Sequence, residues 1–98
     1  MKTRIGINGF GRIGRLVLRA VLQEGYKDVE VGAINSFADP ENNAHMFKYD
    51  TTYGTYKGDV SWTEDSLVID GNSVVCFNSE DPSQLPWGDH GVDIVIEC

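Results

Sequence analysis

The sequence predicts an α/β fold built on a parallel sheet, and three observations predict it. A short apolar stretch ending at Ile5–Asn8 runs into Gly9-x-Gly11-x-x-Gly14 and then into a helical pattern. A second β-branched stretch, Val29–Asn35, follows after a connection long enough to hold that helix. Strands joined by such a crossover lie parallel, with the helix across them in the right-handed sense. The chain then closes on Val92–Cys98, where Val92, Ile94, Val95 and Ile96 give the near-continuous apolar run of a parallel strand covered on both faces.

The elements follow in order. Arg4–Asn8 is the first strand, with Ile5 and Ile7 on one face. From Ile13 the apolar positions Leu16, Val17, Ala20 and Val21 recur at helical spacing, and Gly25 is placed to end that helix in the left-handed conformation. After the second strand, Asp39-Pro40 reads as N-cap followed by first helical residue, opening a short helix through about Tyr49. Beyond Asp50 the pattern changes to short runs, Tyr56–Trp62, Ser66–Ile69 and Ser73–Phe77, separated by Glu64-Asp65 and Asp70-Gly71. Asp-Gly between alternating runs signals a hairpin, so an antiparallel meander is expected here. Pro82 and Pro86 bracket a loop or single helical turn. The expected fold is thus a Rossmann-type doubly wound parallel sheet with an antiparallel hairpin insertion. It is expected to be incomplete (truncated) at its C-terminus, since the sequence stops at the edge where such sheets build their crevice. Residues 1–98 accordingly read as the front part of a longer protein or a truncated copy of one.

Composition narrows the function classes. Ninety-eight residues with 41% hydrophobic content support one small core, and no apolar run approaches the ~20 residues that span a bilayer. A formal charge of −7 argues against nucleic acid or an anionic membrane as the main partner. A small anion is still admitted, because a helix N-terminus binds phosphate locally whatever the net charge. Cys76 and Cys98 are too few for a disulfide scaffold, and no His/Cys cluster points to a metal. Met1–Arg4 leads directly into the first strand without a signal-peptide pattern, so the cytoplasm is the expected location.

The glycines carry the chemistry. Gly9 permits a tight strand-to-helix turn, Gly11 lets backbone approach a pyrophosphate, and Gly14 lets helix and strand pack closely. The N–H groups near Arg12 and Ile13 then face the phosphates from the positive end of the helix dipole. The fingerprint expects an acid ~20 positions on, at the end of the second strand, to hold ribose hydroxyls. Here Asn35 is followed by Ser36. An acid would repel a 2′-phosphate, so its loss opens the site to NADP without requiring it. No Arg or Lys lies between Ser36 and Lys48 to clamp that phosphate, and NAD or NADP both stay open.

Other conspicuous residues have plainer readings. Cys76 and Cys98 are small hydrophobes first, although Cys98 would lie beside the glycine loop. His45 and His90 read as packed or solvated, Trp62 and Trp87 as core or interface anchors, and Arg15 and Arg19 as a solvated helix face.

INGFGRIGR at Ile7–Arg15, AIN at Ala33–Asn35 and HMFKYDTTYGTYKG at His45–Gly58 closely resemble glyceraldehyde-3-phosphate dehydrogenase of the phosphorylating type. The resemblance extends to the Glu80-Asp81-Pro82 loop and the VDIVIE strand, and so over essentially the whole chain. It implies the first part of an NAD-binding domain, with the catalytic domain absent and the family's catalytic Cys and His lying beyond this chain. No catalytic residue is carried over, and the chain alone is expected to be inactive. The family's pyrophosphate-contacting Arg-Ile pair matches Arg12 and Ile13 and its leading Asn matches Asn8; with Gly9, Gly11 and Gly14 of the fingerprint and Asn35 at the end of the second strand, these are the cofactor-binding candidates. Three positions depart from its pattern: Ser36 replaces the ribose-binding Asp, Glu80 an Arg at the adenine end, and Cys98 the Ser or Ala after the last strand. The first departure favours NADP and the second does not. The resemblance further implies a homotetrameric parent in which a cysteine thiolate attacks a small phosphorylated aldehyde, hydride passes to nicotinamide, and phosphate resolves the thioester, as in glycolysis. Two alternatives stand beside it, a paralogue acting on erythrose 4-phosphate and a non-catalytic truncated remnant that binds nucleotide weakly.

Overall fold

A computed structural model describes residues 3–24, 28–49, 55–79 and 85–98. Its elements run β1 (Thr3–Asn8), α1 (Arg12–Glu24), β2 (Val29–Asn35), α2 (Pro40–Lys48), β3 (Val60–Trp62), β4 (Ser66–Ile69), β5 (Asn72–Phe77), a 3-10 turn (Gly88–His90) and β6 (Ile94–Glu97). All the strands join one six-stranded sheet in the order β3-β4-β5-β2-β1-β6. β5, β2, β1 and β6 pair in parallel, while β3, β4 and β5 form the expected antiparallel meander. The meander is therefore continuous with the parallel sheet through β5, which serves both halves.

Local chemistry explains most boundaries. The Asp39 carboxylate accepts the Asn42 N–H at 2.8 Å and Pro40 takes the first helical position, the start read from sequence. Asp70 and Gly71 both have positive φ, 51° and 84°, the backbone a two-residue hairpin needs to match strand twist. The Tyr56–Trp62 run is strand only over its last three residues. Residues 56–59 instead are tied to the hairpin turn: Asp70 Oδ2 accepts the Tyr56 hydroxyl at 2.6 Å and Oδ1 the Asp59 N–H at 2.9 Å. Gly25 lies outside the described residues.

The core gathers Ile7 of β1, Leu18 of α1, Ile34 of β2, Phe47 of α2 and Leu67 and Ile69 of β4, all essentially inaccessible to solvent. The buried stripe of α1 differs from the one expected. Leu18 is at its centre, flanked by partly buried Val17, Val21 and Leu22, whereas Ala20 is exposed and Ile13 is 59% exposed. The apolar residues of α1 spread over a wide arc beside its Arg12, Arg15, Arg19 and Gln23 strip, so periodicity alone did not choose its inner face. Gly14, buried against β1, chooses it by setting the residue one turn later against the sheet. β6 also departs from the expected double cover. It is the edge strand among the described residues, and Ile94 is 55% exposed.

Tyr56 makes stability depend on pH at both extremes. Burial, then the hydrogen bond to Asp70, pushes its phenol up to about 12 from an ordinary 10.0. The same hydroxyl, with the Asp59 N–H, holds the Asp70 carboxyl below its ordinary 3.8. The phenol's contribution is complete below pH 10 and is lost as pH rises toward 12; that of Asp70 is present above its ordinary range and lost on acidification. Tyr56→Phe should therefore flatten both limbs of the melting temperature plotted against pH. Limbs parallel to those of the wild type would show that the pair does not matter.

Candidate functional site

The parallel strands present their carboxyl ends together, and the connections reverse at β1, with β2 on one side and β6 on the other. Ligands of open α/β sheets sit at such a reversal. A cleft of about 470 Å³ lies there, lined by Asn8, Gly9 and Gly11 from the β1 exit, Asn35 and Ser36 from β2, Ser79 after β5, and Glu97 and Cys98 from β6. Its volume falls in the range of small-molecule sites. Phe37, 76% exposed, forms part of the wall with Ala38 and Phe10.

The glycine turn is wedged between the strands beside it. Gly9 has φ +102°, donates its N–H to the Asn35 carbonyl at 3.0 Å, and leaves only 2.6 Å between a hypothetical Cβ and the Cys98 carbonyl oxygen. A Cβ on Gly14 would collide with the Gly9 carbonyl oxygen, which fixes the helix start against the strand exit. Gly11 is different, because among the described residues nothing lies within 4 Å of a Cβ built there. Side-chain space at Gly11 is cleft space. The first helical bond from α1 back to this loop is Arg15 N–H to the Gly11 carbonyl, at 2.9 Å. Arg12, Ile13 and Gly14 precede it, so their N–H groups have no carbonyl within the helix to meet. α1 also has no acid in its first turn. The loop thus offers amides without a helical partner, the positive end of a 13-residue helix, and the exposed Arg12 side chain. That donor set suits an oxygen-rich dianion such as a diphosphate.

A belt of amides crosses the floor. Asn8 Nδ2 donates to Glu97 Oε2 at 2.6 Å, and Asn8 Oδ1 accepts from Asn35 Nδ2 at 2.9 Å. Asn35 Nδ2 also reaches the Ser79 carbonyl at 3.0 Å, and Asn35 Oδ1 accepts the Ser79 N–H at 3.0 Å. Ser36 sits at the rim with its hydroxyl donating to Asn43 Oδ1 at 2.9 Å and accepting from the Ala38 N–H at 3.1 Å. The Cys98 thiol is raised above its ordinary 9.0, by partial burial and then by the Glu97 charge.

Of the residues singled out from sequence, Asn8, Gly9, Gly11, Asn35, Ser36 and Cys98 line one cleft. Gly14 is buried behind the turn, while Arg12 and Ile13 are exposed on the first turn of α1. Glu80 lies outside the described residues. Sequence reasoning missed Glu97, Ser79 and Phe37. The signal for Glu97 was available, as a charged residue closing an apolar strand at its carboxyl end.

Comparison with known proteins identifies the family. Residues 3–98 match the family model described as glyceraldehyde 3-phosphate dehydrogenase, NAD binding domain. A glyceraldehyde-3-phosphate dehydrogenase of Debaryomyces hansenii is 58% identical over 98 residues, which cover 99% of this chain and 29% of the relative. That of Streptomyces coelicolor is 48% identical over 97 residues, covering 99% and 29%. That of Thermotoga maritima is 50% identical over 94 residues, covering 96% and 28%. The chain thus spans less than a third of these relatives.

Proposed function

Because the chain belongs to the glyceraldehyde 3-phosphate dehydrogenase NAD-binding-domain family, we propose that its cleft receives the dinucleotide of such an enzyme. The observation that carries this reading is the turn at Gly9–Gly14, where amides without a helical partner stand beside space that only a glycine leaves open. In this reading the N–H groups of Arg12, Ile13 and Gly14 hold the diphosphate, and Gly11 lets it approach. Asn35 and Ser36 face the adenosine ribose. Cys98 bounds the side toward nicotinamide. Asn8 and Asn35 spend their side-chain amides on one another and on the strand ends, so they shape the floor rather than grip the ligand.

The bound nicotinamide supplies a hydride acceptor. The full-length protein would oxidise and phosphorylate glyceraldehyde 3-phosphate, with the attacking thiolate and its base contributed by residues outside this chain. The chain itself holds and orients the acceptor, as the first part of a dinucleotide-binding domain in a homotetramer. Phosphate-dependent reduction of NAD by the full-length protein tests the assignment directly, and no reduction of NAD or NADP would reject it.

Ser36 governs the choice of cofactor. A carboxylate there would repel a 2′-phosphate while accepting ribose hydroxyls, and serine does neither. Ser36→Asp should weaken NADP relative to NAD by about tenfold, because like charges brought together in a binding site are strongly unfavourable. Titrating both cofactors against both proteins decides it. An unchanged ratio would place the 2′ position away from residue 36.

A further inference from the structure

Glu97 is a carboxylate where a phosphate-binding cleft has no electrostatic use for one. It sits at the end of β6, exposed, on the cleft wall, and its Oε2 accepts the Asn8 amide at 2.6 Å. We infer that Glu97 is a positioning residue for the glycine turn, acting through Asn8. This rests on the dinucleotide reading above and adds to it a residue that makes the turn's geometry depend on β6.

The coupling follows from short, oriented links. Asn8 immediately precedes Gly9, so whatever orients Asn8 orients the entry to the turn. A carboxylate oxygen can only accept, so the Asn8 group facing Glu97 must be its NH₂. The Asn8 oxygen is then turned to β2, where it accepts from Asn35. Asn35 in turn is fixed because its own oxygen takes the Ser79 N–H. Glu97 therefore anchors the β6 end of a relay that runs across the ends of β6, β1 and β2 and on to Ser79. The backbone repeats the coupling: Cys98 N–H donates to the Asn8 carbonyl at 3.0 Å, and the Cys98 carbonyl crowds Gly9. Without an acceptor at the reach of Glu97, Asn8 keeps its bond from Asn35 but loses its side-chain tie to β6. The glycine turn is then tied to β6 by backbone alone, and its position against the sheet loosens.

Two variants separate position from charge. Glu97→Gln keeps length and an accepting oxygen but removes the charge, and should bind NAD within about threefold of wild type. Glu97→Asp keeps the charge but withdraws it by one methylene, and should lose about tenfold in NAD affinity at unchanged melting temperature. The full-length protein, titrated calorimetrically with NAD, supplies the readout. If Asp binds like wild type, or if Gln loses as much as Asp, the positioning role is wrong. Tighter NAD binding by Gln would also overturn it, since the charge would then be acting on the phosphates directly. A wild type that binds no NAD would instead reject the dinucleotide reading itself, so the two failures are distinguishable.

Discussion

Gly14→Ala should destabilise the protein by about 2 kcal/mol or more, against the intrinsic preference of the helix it lies in. Alanine in place of glycine inside a helix ordinarily gains up to about 1 kcal/mol. At position 14 the added methyl would run into the Gly9 carbonyl oxygen and come within 3.2 Å of Ile7 Cγ2 and 3.3 Å of the Gly9 carbonyl carbon. The obstacle is largely backbone, and the turn it belongs to is itself held by the Asn35 carbonyl and crowded by Cys98. Overpacking of this kind costs roughly 1–3 kcal/mol and more where nothing can give. Here it exceeds the helical gain. A lowered urea midpoint at unchanged slope is the expected result. A midpoint equal to or above that of wild type would mean that α1 does not start hard against β1.

Gly11→Val should do the opposite, leaving the fold alone and removing the ligand. A Cβ at position 11 meets no atom of the described residues within 4 Å, so stability should change by no more than about 0.5 kcal/mol, as for a surface substitution. The added carbons would occupy the cleft lined by Gly11, in front of the amides assigned to the diphosphate. NAD affinity should then fall by well over tenfold, since displaced phosphate–amide bonds to a charged acceptor are worth about 1.5–3 kcal/mol each. Calorimetric titration alongside the unfolding curve reads both quantities. Retained affinity would show that the ligand lies elsewhere. The pair of variants separates two glycines that a motif treats alike, one needed by the fold and one by the ligand.

Where a local rule had a single winner, the sequence was sufficient. Asp39-Pro40 admits one helix start and Asp70-Gly71 one kind of turn, and both are found as expected. β1 and β2, with the glycines between them, placed five of the candidate residues on one cleft, and Cys98 after β6 is the sixth. Legibility failed where the deciding partner is remote. α1 carries apolar residues on more than one face, and only the close approach of Gly14 to the strand exit selects Leu18. Glu97 was passed over because its meaning lies in Asn8, 89 residues earlier in the chain. The Tyr56–Asp70 bond is of the same kind, since an exposed turn aspartate gives no local hint that it takes a phenol.

The pairing of β1 with β6 also has a kinetic consequence. Ile5 meets Ile94 and Asn8 meets Glu97, so one rim of the cleft comes from the start of the chain and the other from near residue 98. Closing so long a loop is slow compared with zipping the β3–β4–β5 meander. β6 should therefore dock late and open early. A dinucleotide gripped between those rims recognises only the docked form and holds it by mass action. Amide hydrogens of Ile94–Glu97 should exchange markedly more slowly once NAD is added, while those of the meander keep their pace.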